Sequence, residues 1–343
     1  MHALARLLAA AVTALLLIPA QGYAQTHAQA PAKVRFTLDW VVQGQHAPFL
    51  LAKGKGYFDQ EGVDVTVDVG NGSAGTVQRL ASGAYEMGFA DLSTLIEFMG
   101  NNPHLPRAQA VYMVHERNPN ALFAHKKSGI SKPSDLKGKK ISGPVFSSTR
   151  KTWPLFARAT GLKVDDAAWQ NVAPDMVEQA MVRGDVQVGS GFPTQLQIYN
   201  RLGVKTEDIV TFKYADYGVD LYGNAVLASA KFINENPQAI AAVLRAINRA
   251  LKETIADPAA AVKYVMQRNP LLNEADELEK LKLVMEFLDT ANTRSDGLGS
   301  ISKVRLDNQV DDINLAFGLK SKPSPDLIFN SSFLPRSADR RYR

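Results

Sequence analysis

The chain of 343 residues contains no cysteine. That excludes a disulfide framework, a zinc–thiolate cluster and a cysteine nucleophile. It also excludes the lipid-bearing cysteine that tethers some exported bacterial proteins. Beyond the first two dozen residues, no apolar run is long enough to cross a bilayer. Net basic charge outside the termini is small as well. Of the formal +5, Arg6 carries one unit and the terminal RSADRRYR (Arg336 to Arg343) three, so the body is near +1. A duplex-binding face is therefore not expected. There is no His-x-x-x-His pair for a metal and no G-x-S-x-G nucleophile elbow, since Ser73 has Asn71 two residues before it.

The start of the chain is informative. His2 and Arg6 precede an apolar run from Leu7 to Ile18, then Pro19, Gly22 and Ala24. This reads as a secretory signal over 1–24, cleaved after Ala24, and predicts an exported, untethered mature protein.

Val34, Phe36 and Leu38 alternate with polar residues, a period-two strand, and Pro48 suits the first turn of a following helix. GVDVTVDVG repeats the strand pattern and leads through NGSAG to a helix. YEMGFA and AQAVYMV continue it, the former ending at Asp91. This strand–helix alternation predicts parallel sheets flanked by helices. From Leu122 the pattern restarts after an expected crossing segment, ALFAHKKSGI. Strands KKIS, WQNV and VQVGS follow, and NAVLAS is expected to return to the first sheet. Asp175 and Glu178 have capping-box spacing. In the last third, Ile240, Val243, Leu244, Ile247, Leu251 and Ile255 keep one helical face, with further helices near 259–268, 274–291 and 302–317. The expected organisation is two α/β lobes, 33–122 plus 225–335 and 123–224, with a basic tail at 336–343.

In such folds ligands sit beyond the carboxyl ends of the strands, which directs attention to the loops. LDWVVQGQHAPF places Trp40 and His46 in one. Trp40 is read as a stacking plate for a planar ligand, or as a cap on the core. His46 is read as a hydrogen-bond partner of a ligand or of its own loop, with metal or acid–base work the weaker options. GNGSAG (Gly70 to Gly75) matches G-x-G-x-x-G with Asp91 downstream, but it follows the second strand, which disfavours a dinucleotide site. Its backbone and Ser73 offer donors at a helix start, unless it is a plain tight turn. In GPVFSSTRK, Pro154 favours a helix beginning after Thr152, leaving Ser147, Ser148 and Thr149 as free donors. Arg150 and Lys151 would add charge for an acidic ligand. Tyr217 and Tyr222 are expected to supply facing aromatic surfaces.

Several stretches together carry a family resemblance: LDWVVQGQHAPF, AKGKGYFDQEGVDV, GNGSAGTVQRLASG, FADLSTL, KPSDLKGKKI, YGVDLYGNAVLAS and NPQAIAAVLRAINRAL. They resemble the type II periplasmic binding proteins that include the pyrimidine-precursor and riboflavin binders, and more distantly the alkanesulfonate binders and fungal thiamine-pyrimidine synthases. The resemblance covers most of 33–255 in the family's order. It implies a two-lobed fold with mixed sheets, two crossing segments and a helical C-terminal extension. It further implies a periplasmic receptor, monomeric and without a cofactor, that passes a small ligand to the permease and ATPase of an ABC importer. Family binding positions carry over onto Trp40, His46, Ser73, Ala74, Gly75, Asp91 and Tyr222; Ser147 and Ser148 complete the expected set. Gln43 and Gln45 stand where many relatives have asparagine. VQVGSGFP replaces an Asp-Ala pair, so contacts from that loop are not carried over. The synthases' cysteine-rich run is missing, so no enzyme activity and no catalytic residue is expected. The expected ligand is a pyrimidine or flavin-precursor heterocycle, with an organic anion as the alternative. A periplasmic enzyme on the same scaffold is the rival class, and a sensor subunit would share the same structure.

Overall fold

Alternating apolar and polar side chains account for the strand VDVTVD, and unbroken burial marks the strands MGFAD and NAVLA. A computed structural model describes residues 30–342. The expected signal at 1–24 lies outside the described residues, as does Arg343. In chain order the strands are β1 (Ala32–Thr37), β2 (Val63–Asp68), β3 (Met87–Asp91), β4 (Gln109–Met113), β5 (Ala121–His125), β6 (Lys140–Ser142), β7 (Ala168–Gln170), β8 (Val188–Gly191), β9 (Ile209–Lys213) and β10 (Asn224–Ala228). They form two five-stranded sheets, ordered β2-β1-β3-β10-β4 and β7-β6-β8-β5-β9. In β2, Val63, Val65 and Val67 are buried while Asp64 and Thr66 face solvent. β3, between β1 and β10, is buried throughout, as a strand covered on both faces must be.

Both sheets are mixed. β10 runs antiparallel between β3 and β4, and β5 antiparallel between β8 and β9. NAVLAS thus returns to the first sheet as expected. The outward crossing is displaced from its expected position: ALFAH is β5, and the chain changes sheets over 114–120 instead. The two crossings are tied to each other by backbone hydrogen bonds, His115 N–H to Asn224 O at 2.9 Å, Gly223 N–H to His115 O at 2.9 Å and Asn118 N–H to Leu221 O at 2.9 Å. Both crossings are irregular backbone outside the strands, the kind of segment that absorbs a hinge motion.

The long helix Pro237–Ala256 buries Ile240, Val243, Leu244, Ile247, Leu251 and Ile255 against the first sheet, as its periodicity predicts. A second helix, Glu274–Leu288, packs on two turns at once: Gly44–His46, after β1, and Pro193–Gln195, after β8. At the C-terminal end the basic tail is not a loose patch. Arg340 is buried and donates to Leu298 O at 2.9 Å and Pro335 O at 3.0 Å. No helix among the described residues is long and apolar enough to cross a membrane.

Candidate functional site

Loops leaving the carboxyl ends of β1, β2, β3, β6 and β8 converge on a cavity of about 420 Å³. That is the size of a small-molecule site, and it lies where open α/β sheets place ligands. The first sheet's loops contribute Asp39, Trp40, Gln43, Asn71, Ser73 and Asp91; the second's contribute Phe146, Ser147, Thr149, Glu178, Gly191 and Phe192.

Asp39 organises the first loop. Its buried carboxylate holds His46 Nε2 at 2.7 Å through Oδ1 and accepts from Asn224 Nδ2 at 2.8 Å through Oδ2. The Gln43 N–H donates to His46 Nδ1 at 3.2 Å, so the proton of a neutral imidazole sits on Nε2, facing Asp39. His46 is wholly buried and does not line the cavity. Of its two sequence readings, the loop's own hydrogen bond is the one formed. Trp40, by contrast, is partly exposed and forms part of the cavity wall.

The glycine-rich loop packs directly behind this one. Gly70 N–H donates to Trp40 O at 3.0 Å and Gly72 N–H to Asp39 O at 2.6 Å. A Cβ on Gly70 would stand 2.0 Å from Leu38 O, so backbone proximity explains that glycine without any phosphate. Ser73 and Ala74 line the cavity, whereas Gly75 does not. Ser73 Oγ accepts from the Asp91 N–H at 3.0 Å. Asp91 caps the next helix, taking bonds from Thr94 N–H at 2.9 Å and Thr94 Oγ1 at 3.0 Å. Burial nevertheless pushes its carboxyl up to about 6.

On the second side, the helix containing Pro154 begins after Thr152 as expected, but a helical turn, Ser148–Lys151, already precedes it. Ser147 and Ser148 line the cavity, yet the Ser148 hydroxyl is not a free donor, and that of Ser147 is engaged as an acceptor. Ser147 Oγ caps that turn by accepting from Arg150 N–H at 3.3 Å. Ser148 and Thr149 donate to Asn120 Oδ1 at 2.9 and 3.0 Å. Arg150 donates to Gly143 O and lies over the Trp169 ring, and Lys151 pairs with Glu97 at 2.5 Å. Neither cation lines the cavity.

The aromatic wall expected from Tyr222 is absent. Its ring is buried under the Arg305 guanidinium, and its hydroxyl accepts from Ser302 N–H at 2.7 Å. Tyr217 packs against Phe156. The β8 loop, set aside on sequence, instead lines the cavity through Ser190, Gly191, Phe192 and Thr194. Further lining residues, Lys280 and Glu178 among them, lie outside the expected set. Lys280 comes from the distant helix Glu274–Leu288 and gave no sequence signal. The spacing of Asp175 and Glu178 predicts a capping box, but no such side-chain cap forms and Glu178 lines the cavity. Among the described residues no cluster of three metal-ligating side chains exists.

A family model described as NMT1/THI5 like matches residues 43–261. The chain is 26% identical over 312 residues to the riboflavin-binding protein RibY of Chloroflexus aurantiacus, covering 88% of this chain and 86% of that protein. It is 23% identical over 266 residues to the formylaminopyrimidine-binding protein of Halalkalibacterium halodurans, covering 76% and 78%. It is 26% identical over 250 residues to a 4-amino-5-hydroxymethyl-2-methylpyrimidine phosphate synthase of Aspergillus parasiticus, covering 70% and 72%. In fold it is similar to the alkanesulfonate-binding protein SsuA of Xanthomonas axonopodis pv. citri, with a TM-score of 0.68 at 17% identity over 88% of this chain and 99% of that one.

Proposed function

The chain belongs to the NMT1/THI5-like family, and from that premise we propose that it is an exported receptor that captures a small planar heterocycle between two lobes and delivers it unaltered to an ABC importer. The observation that carries this reading is a cavity of about 420 Å³ walled by loops of both sheets, with Trp40 offering an apolar face on one side and Phe146 and Phe192 on the other. Guests bound this way hold the two sides together, so ligand binding favours a closed form that a permease can distinguish. The lobes are taken as 33–120 plus 225–335 and 121–224, with the first boundary moved to the end of the observed crossing, and the ligand-facing set as Trp40, Ser73, Ala74, Asp91, Ser147 and Ser148. His46 supports that set from behind through Asp39, and Gly75 and Tyr222 stand outside it.

Some relatives are named for binding formylaminopyrimidine or riboflavin and others for synthesis of a pyrimidine phosphate. Binding is preferred to turnover because the one base in the first loop, His46, is engaged on both ring nitrogens. Native mass spectrometry of protein purified without denaturation tests the reading. A co-purified planar heterocycle, recovered unchanged after prolonged incubation, is the expected result. Conversion of that molecule by the purified protein would move the chain to the enzyme class.

A further inference from the structure

Three carboxylates line the cavity, and they are not equivalent. Both oxygens of Asp39 are committed, to His46 and to Asn224. Asp91 accepts twice from Thr94 through one oxygen, and Asn118 Nδ2 approaches the other at 3.5 Å. Glu178 differs. It is 2% exposed and lines the cavity beside Pro174 and Val177; the Gln195 side chain is a hydrogen-bond partner of the carboxylate, but its Oε1 has none. The hydroxyl of Tyr199, also buried, is likewise without a partner. A buried carboxylate oxygen left unpaired is costly, and such groups in a cleft are the ones a ligand completes.

The surrounding charge has the same sign. The lining holds one cation, Lys280, and it is already paired with Glu277 at 2.5 Å. The two cations that favoured an anionic guest on sequence, Arg150 and Lys151, are tied elsewhere. An organic anion would therefore meet three carboxylates and no uncommitted cation among the described lining residues. A cationic guest would meet Trp40, Phe146 and Phe192, whose ring faces attract positive charge.

We infer that Glu178 selects the ligand: the cleft takes a planar guest carrying a cationic nitrogen or paired N–H donors, of amidine or amino-heterocycle chemistry, and refuses carboxylates and sulfonates of the same shape. This rests on the receptor reading above. Glu178 supplies the acceptor from the second sheet's side while Trp40 stacks from the first, so one guest engages both. Burial raises the Glu178 carboxyl above its usual range, and a cation seated beside it would draw it back down.

Three probes of one shape test this: benzamidine (a cation with forked donors), benzamide (neutral) and benzoate (an anion), each titrated into the full chain and into Glu178→Gln by calorimetry. The expected order in the unmodified protein is benzamidine at least tenfold tighter than benzamide, with benzoate weakest. In Glu178→Gln the benzamidine advantage falls at least tenfold while benzamide changes less than threefold. Glu178→Asp, which keeps the charge, retains the preference for benzamidine over benzoate and serves if the glutamine variant folds poorly. Equal binding of all three probes, unaffected by either substitution, overturns the inference and leaves the planar-ligand reading standing. Tightest binding of benzoate also overturns it. Failure of all three probes to bind overturns the planar-ligand reading itself.

Discussion

His46 Nε2 lies 2.7 Å from Asp39 Oδ1, and both side chains are buried, the carboxylate in the cavity wall and the imidazole behind it. The contact fixes the loop that carries Trp40, because the same imidazole accepts from the Gln43 N–H through its other nitrogen. His46→Ala is therefore expected to remove a structural support. It would leave Asp39 Oδ1 unpaired in a buried position, at a cost of about 3 kcal/mol. Urea unfolding should report that loss. If His46 were instead a ligand contact, the unfolding midpoint would hold and only affinity would fall.

This pair also marks how far the sequence could be read. Strand alternation and helical periodicity depend on near neighbours, so β1, β2 and the buried face of Pro237–Ala256 were legible. The loops after the strands were legible as well, because fold class alone places ligands there. What escaped was set by contacts between distant segments. Tyr222 looked like a cleft aromatic until Arg305 and Ser302, some 80 residues on, enclosed it. Ser148 and Thr149 looked like free donors until Asn120 took them. Lys280 enters the cavity only because its helix packs on turns from both sheets. None of these partnerships leaves a local pattern.

Trp40 is half-buried and contributes to the cavity wall, so replacing it should affect binding more than folding. Trp40→Ala is expected to weaken affinity for the co-purified ligand at least tenfold, about 1.4 kcal/mol. The urea midpoint should stay close to that of the unmodified protein. Calorimetry that finds the same affinity in both proteins would remove the stacking role from Trp40.

Two buried groups make opposite contributions to acid stability. Burial lifts Asp91 from 3.8 to about 6, against the Thr94 hydrogen bonds that hold it down. Between those values the native state keeps a proton that the unfolded chain releases, so rising pH weakens the fold. Burial lowers His115 from 6.5 to about 4, with Asp39 opposing. There the unfolded chain takes up a proton that the native state refuses, so rising pH strengthens the fold. Each effect is worth up to about 3 kcal/mol, and over most of the shared window they cancel. Single substitutions should unmask them. Asp91→Asn gains stability relative to the unmodified protein as pH rises from 4 to 7. His115→Phe, which keeps the ring packed on Phe89, gains relative stability as pH falls from 8 to 4.5. Urea titrations across that range check both, and parallel pH profiles for all three proteins would contradict the assignment.

The helix Glu274–Leu288 reaches the first loop at a point where only glycine fits. A Cβ on Gly44 would lie 2.0 Å from Glu277 O and 3.0 Å from Leu281 N, both backbone atoms that cannot rotate away. The Gly44 N–H also donates to Glu277 Oε2 at 2.7 Å, and Glu277 in turn holds Lys280 at the cavity wall. Gly44→Ala must therefore push the helix off the loop, at a cost of about 2 kcal/mol from overpacking. Because the same helix rests on Pro193–Gln195, the displacement is transmitted to the second side of the cleft. Stability and ligand affinity should fall together, in contrast to Trp40→Ala, where affinity falls alone. Urea unfolding and calorimetry on the same preparation separate the two patterns. An unchanged midpoint for Gly44→Ala would mean that the helix gives way without cost, and that it does not brace the cleft.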